Sequence, residues 1–185
     1  MTGPHEHRAP ECSPLLHSRR GIVVALGAAA MLSAGRASAA DASPEDERFM
    51  RLALDEAQQA ARPFGAVIVR DGQVLARGRN LVRTNDDPTA HGEMMAIRRG
   101  LADHGSAALK GATLYASGEP CAMCMGAIIW CGFGRLVFAA SVLQLGERMN
   151  QIMITSADVA AKAPFLPIKI SGGVLAEEAL RLFDK

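Results

Sequence analysis

Aromatic side chains are scarce: one tryptophan, one tyrosine and six phenylalanines among 185 residues. With so few rings, a core must be built from aliphatic side chains, alanine and methionine, and 49% apolar residues supply them. Cysteine is sparse too. Cys12, Cys121, Cys124 and Cys131 show no even, regular spacing, which excludes a small disulfide-stapled scaffold. No repeat or low-complexity tract is present. A charged share of 21% belongs to a globular chain and not a disordered one, and the length suits one ordinary domain with a sizeable core.

The N-terminus has its own pattern. Ser18-Arg19-Arg20 precedes an uncharged run from Gly21 to Gly35, and Ala37-Ser38-Ala39 follows as a small-residue cleavage site. The twin arginine resembles a Tat-type export signal, a route that carries proteins already folded. The alternative is a membrane anchor, but about 15 residues rich in Gly and Ala fall short of the roughly 20 that span a bilayer. No cysteine stands at the cleavage site for lipidation. The expectation is therefore a signal over residues 1–39, a functional domain over 40–185, a bacterial periplasmic location and no membrane contact after cleavage.

Removing residues 1–39 takes four of the 20 basic and two of the 19 acidic residues, leaving a formal net charge of −1. No basic stripe remains for phosphate contacts, so no nucleic-acid partner is expected. Of five histidines only His91 and His104 survive.

From Ser43 the chain alternates between helical and strand patterns. Ser43-Pro44-Glu45-Asp46-Glu47 predicts a helix start, with a capping serine, proline at the first position and acids in the first turn. An amphipathic period runs to Arg62, where Pro63 ends it. Phe64 to Arg70 reads as a strand, Asp71-Gly72 as a hairpin turn and Gln73 to Arg79 as the returning strand. Asn80 to Ala90 reads as a polar loop, and His91 opens a helix to about Ala102. Thr113 to Ala116 predicts a central strand. Cys121 to Cys131 is a helix apolar nearly all round, and so buried. Leu136 to Ala140 is another strand. Helices near Val142 to Glu147 and Ala176 to Phe183 and a strand near Pro167 to Ile170 complete the reading. This alternation gives an α/β sandwich with helices on both faces of the sheet.

Two stretches carry the chemistry: His91-Gly92-Glu93 and Glu119-Pro120-Cys121-Ala122-Met123-Cys124. Cysteines three apart on a helical turn put both sulfurs on one face, and the histidine is a third ligand of the kind zinc prefers. Three protein ligands leave a tetrahedral position open, as in catalytic zinc sites. A fourth ligand would have to come from His104, Cys131 or a carboxylate, none in a recognisable spacing. Both ligand groups sit at helix starts, where the backbone favours thiolate. Zinc so held lowers the pKa of a bound water to about 7, which supplies hydroxide at neutral pH. Glu93, two residues from His91, does not share its helix face but can project past the helix end and move a proton from that water to a leaving amino group. Plainer readings exist for each part alone: Glu93 as a first-turn acid, the cysteine pair as half of a structural zinc site, His91 as a loop histidine. Cys131 reads as core packing and His104 as a helix C-terminal residue.

PFGAVIV, DPTAHGEMMAI, LYASGEPCAMCMGAIIW and FGRLVFAAS together resemble the cytidine deaminase-like superfamily, whose signature is H-x-E followed by P-C-x-x-C. Within it they look most like guanine deaminases, nucleoside deaminases and tRNA adenosine deaminases. The resemblance implies a three-layer α/β/α sandwich with a central mixed five-stranded sheet. It implies Zn²⁺ on His91, Cys121 and Cys124, Glu93 as proton shuttle, Asn80 bonded to substrate, Phe64 and the Ala66 backbone against the base, and a homodimer to which Ile152 to Phe165 could contribute. Gly92 stands where the family commonly has alanine, at about 1 kcal/mol of helix propensity.

Ile129-Trp130 resembles the purine-base and nucleoside branch, with Trp130 either at the substrate or in the core. The expected reaction is hydrolytic deamination of a free purine base or nucleoside, guanine-type foremost. Cytosine or cytidine is the alternative, then a tRNA adenosine; a protein in which zinc only holds the fold is the non-enzymatic reading.

Overall fold

A computed structural model describes residues 42–184. The export-signal reading of residues 1–39 lies outside the described residues.

Helix α1 (Pro44–Gln58) starts as expected, with the Ser43 side chain accepting from the Asp46 N–H and the Asp46 carboxylate accepting from the Ser43 N–H. It stops four residues short of Arg62. Pro63 offers no N–H to the Gln59 carbonyl and disfavours helical backbone at Arg62. Strands β1 (Gly65–Arg70) and β2 (Gln73–Arg79) form the hairpin, with positive φ at both turn residues, Asp71 and Gly72. The expected loop after β2 contains a short helix, α2 (Val82–Asn85). Then follow α3 (Gly92–His104), α4 (Ser106–Leu109), β3 (Thr113–Gly118), α5 (Ala122–Trp130) and β4 (Arg135–Ala140). Helices α6 (Val142–Gly146) and α7 (Ser156–Ala161), strand β5 (Lys169–Ser171) and α8 (Ala176–Arg181) complete the fold.

The sheet runs β2-β1-β3-β4-β5, with β1 antiparallel to both β2 and β3, and β4 parallel to both β3 and β5. It is the mixed five-stranded sheet of an α/β fold. Side-chain alternation builds one core on each face. Ala66, Ile68, Leu114, Ala116, Leu136 and Phe138 face α3, α4 and α5, whereas Val67, Val69, Tyr115, Val137 and Ala139 face α1 and α8. Gly65 permits one close approach: a Cβ there would overlap the Ala53 carbonyl oxygen, so α1 lies directly on the start of β1.

The parallel strands β3 and β4 end together, tied by the Glu119 N–H to the Ala140 carbonyl at 2.7 Å. Helix α5 starts just beyond. Ligand crevices in such sheets lie outside the carboxyl ends of the strands, and the candidate residues converge there.

Candidate active site

His91 and Cys121 are the N-cap residues of α3 and α5, in extended backbone, and neither side chain makes a capping hydrogen bond. Freed from capping, both turn towards the gap between the helices. Cys124 comes from the first turn of α5 and is fully buried. The His91 Nδ1 lies 3.7 Å from the Cys121 Sγ and 3.6 Å from the Cys124 Sγ. Tetrahedral zinc at its usual bond lengths holds a nitrogen and a sulfur about 3.6 Å apart. The three donors therefore fit zinc. Among the described residues no fourth His, Cys, Asp or Glu joins the group. His104 ends α3 with its ring 3.0 Å from the Leu75 carbonyl, and Cys131 packs half-buried against the core.

The electrostatics of the donors point the same way. A hydrogen bond with Cys124 is the chief cause holding the Cys121 thiol down at about 4, against burial and with help from His91. That same bond, with burial and the neighbouring Glu93, pushes Cys124 far up. Two adjacent thiols cannot both ionise unaided; a dication at their common centre removes the conflict. The hydrogen bond with Cys121 raises the His91 imidazole, against burial and with the Glu93 charge. Burial, above all, raises the Glu93 carboxyl to about 7.

Glu93 is 6% exposed and lines one cavity together with His91 and Cys121. The cavity measures ≈ 200 Å³, below the roughly 300–1,000 Å³ of drug-sized ligand sites. Phe64 and Asn80 also line it. The Phe64 ring is held edge-on by Phe183, centroids 5.2 Å apart, and the Phe64 carbonyl accepts from the Asn80 N–H at 2.9 Å. The Asn80 Oδ1 accepts from the Val82 N–H at 3.3 Å.

Two expected residues are elsewhere. Ala66 is fully buried inside β1, paired with Gly78 and Ala116, and does not line the cavity. Trp130 ends α5, nine residues and about 13 Å of helix beyond Cys121. It is 75% exposed, its ring 5.8 Å from that of Phe165, so it is neither at the cavity nor in the core. Helix α5 is thus not buried all round: Met123 and Trp130, seven residues apart, face outward on one stripe.

Sequence reasoning gave no place at the site to Arg62, Glu119 or Met149 to Ile152, all of which line the cavity; Ile152 figures in it only as a dimer contact. Glu119 stood in the quoted motif, but its partners are 23 and 37 residues away. Met149 to Ile152 carry no local pattern.

Residues 43–140 match the cytidine and deoxycytidylate deaminase zinc-binding region. The chain belongs to that zinc-binding deaminase family. It is 50% identical over 106 residues to the guanine deaminase of Bacillus subtilis, a match covering 55% of this chain and 68% of that protein. It is 49% identical over 105 residues to the chloroplastic tRNA(adenine(34)) deaminase of Arabidopsis thaliana, covering 55% of this chain. The chain spans only 8% of that plant protein's length. A crystal structure holding 8-azaguanine superposes with a TM-score of 0.65 at 26% identity, covering 75% of this chain and 82% of that one.

Proposed function

We propose that this protein is a zinc-dependent hydrolase that releases ammonia from a free purine base or nucleoside, with guanine the foremost candidate. The observation that carries the proposal is the cavity: the zinc donors His91 and Cys121 and the buried carboxyl of Glu93 open into one chamber of ≈ 200 Å³. His91, Cys121 and Cys124 would hold zinc, which when bound would activate water near neutral pH and balance the charge of both sulfurs. Glu93 takes a proton at its carboxyl oxygen and returns it to the amino group that leaves as ammonia. Phe64 offers a ring face for stacking and Asn80 a carboxamide for the base edge, while burial of Glu93 keeps bulk water from competing for the proton.

The guanine-named relative and the structure holding 8-azaguanine support a purine base. A tRNA adenosine is the second reading, favoured by the plant relative, and the near-neutral charge weighs against it. Cytosine or cytidine comes after. The zinc-loaded protein challenged with guanine, guanosine, adenosine, cytosine, cytidine and a tRNA anticodon stem, with ammonia measured, separates these. Guanine should give the highest kcat/KM; turnover of the stem alone would replace this reading with the second.

We further propose that the protein is a homodimer, supported by the exposed apolar side chains Trp130, Phe165, Ile152 and Met153. Residues 1–39 act in this reading as a Tat-type signal for periplasmic export.

A further inference from the structure

Glu119 lies between the end of β3 and the ligand turn of α5, and it is 8% exposed. Its two carboxyl oxygens go to different elements. Oε2 accepts from the Val142 N–H at 2.8 Å and Oε1 from the Ser156 N–H at 2.7 Å. Val142 and Ser156 are the first residues of α6 and α7. In each helix the capping side chain, Ser141 or Thr155, already serves the third N–H, at Gln144 or Asp158. Glu119 therefore takes first-turn donors that have no partner within their own helices.

One side chain thus grips both ends of the excursion from Val142 to Ser156. Midway along it Met149, Asn150, Gln151 and Ile152 form a wall of the cavity. Packing alone holds that wall loosely: Asn150 and Ile152 are exposed, as are the flanking Arg148, Met153 and Ile154, while Met149 and Gln151 are half-buried. A further tie is the Arg148–Asp184 ion pair, 3.5 Å long and at the surface, which contributes little.

We infer that Glu119 is a positioning residue, fixing the Met149 to Ile152 wall against the metal-ligand turn and so setting how tightly the substrate ring is held. The inference rests on the deaminase reading for its link to substrate. Asn150 and Gln151 put carboxamides on this wall, each with a donor and an acceptor for a base edge. The groups that do the chemistry stand instead on α3 and α5. A displaced wall therefore alters binding before it alters turnover.

The test is Glu119→Gln in the full, zinc-loaded chain. The amide presents one NH₂ to an N–H that had an acceptor. KM for guanine should rise about tenfold while kcat stays within about threefold and zinc content is unchanged. Amide hydrogen exchange over residues 147–155, which needs no turnover, should quicken about tenfold. Ser156→Pro removes the opposing donor, together with the Ser156 hydroxyl's 3.4 Å bond to the Pro120 carbonyl, at a helix position that accepts proline, after a residue already extended (ψ 156° at Thr155). Adding it to Glu119→Gln should recover part of both changes. Should Glu119→Gln fail to fold, Val142→Pro deletes the other donor and should quicken the same exchange. Unchanged KM and exchange, or a fall in kcat with KM unmoved, would overturn the inference. If the wild type releases no ammonia from any base but exchange responds as described, the deaminase reading fails and the tether stands.

Discussion

Gly92 opens α3 beside His91, and the structure supplies a reason for a glycine there. A Cβ there would lie 3.0 Å from the Phe64 carbonyl oxygen and 3.1 Å from the Gly65 Cα. Both neighbours are backbone, and Gly65 is itself pinned against α1. Gly92→Ala gains about 1 kcal/mol of helix propensity but must displace Phe64, a cavity residue. The expected outcome is a melting temperature within a few degrees of wild type and a raised KM in steady-state assays. Trp130 teaches the opposite lesson. A large apolar residue in an apolar run reads as core or site, yet at the end of α5 it faces outward, because which side of a helix is covered depends on elements far along the chain.

Among the elements, α1, β3 and β4 are joined by one polar cluster, buried at Asp46 and Tyr115 and half-buried at Arg135. Asp46 accepts from the Arg135 guanidinium at 2.7 and 3.0 Å and from the Tyr115 hydroxyl at 2.9 Å. Burial works to raise the Asp46 carboxyl, but the hydrogen bonds from Arg135 and Tyr115 and the Arg135 charge outweigh it and hold it below the usual range. A carboxyl so lowered adds stability fully above its unfolded pKa of about 4, and that stability is lost as pH falls through the folded value. Asp46→Asn should cost roughly 1–3 kcal/mol at pH 7, since the Arg135 side chain keeps contact with water (32% exposed). It should also flatten the acid limb of a thermal-melting series taken from pH 7 to 3. An acid limb as steep as wild type would contradict this role. The local signals of α1, the hairpin, β3, α5 and β4 were all legible, since caps, turn residues and period-2 runs act within a few residues. Helices α4 and α7 were not. They are four and six residues long, too short to show a period, and α7 takes part of its start from Glu119.

At the scale of the molecule, the zinc donors were legible in their spacing, whereas the cavity's far wall was not, because it is made by tertiary contacts with Glu119. Trp130 and Phe165 leave a paired aromatic patch outside either core. Sedimentation of the zinc-loaded protein should show a dimer, and the double substitution Trp130→Glu, Phe165→Glu should shift it to monomer; a wild-type monomer at high micromolar concentration would remove the dimer. For the export reading, Arg19→Lys with Arg20→Lys should hold the protein in the cytoplasmic fraction of a bacterial host. Equal periplasmic recovery of this variant and wild type would contradict a Tat-type signal.

The most direct test of the central assignment pairs metal analysis with ammonia release in wild type and Glu93→Gln. Both proteins should carry one zinc per chain, and the variant should lose at least about 10²-fold in kcat. Ammonia release by Glu93→Gln at the wild-type rate, or a wild type that folds and turns over substrate without zinc, would contradict it.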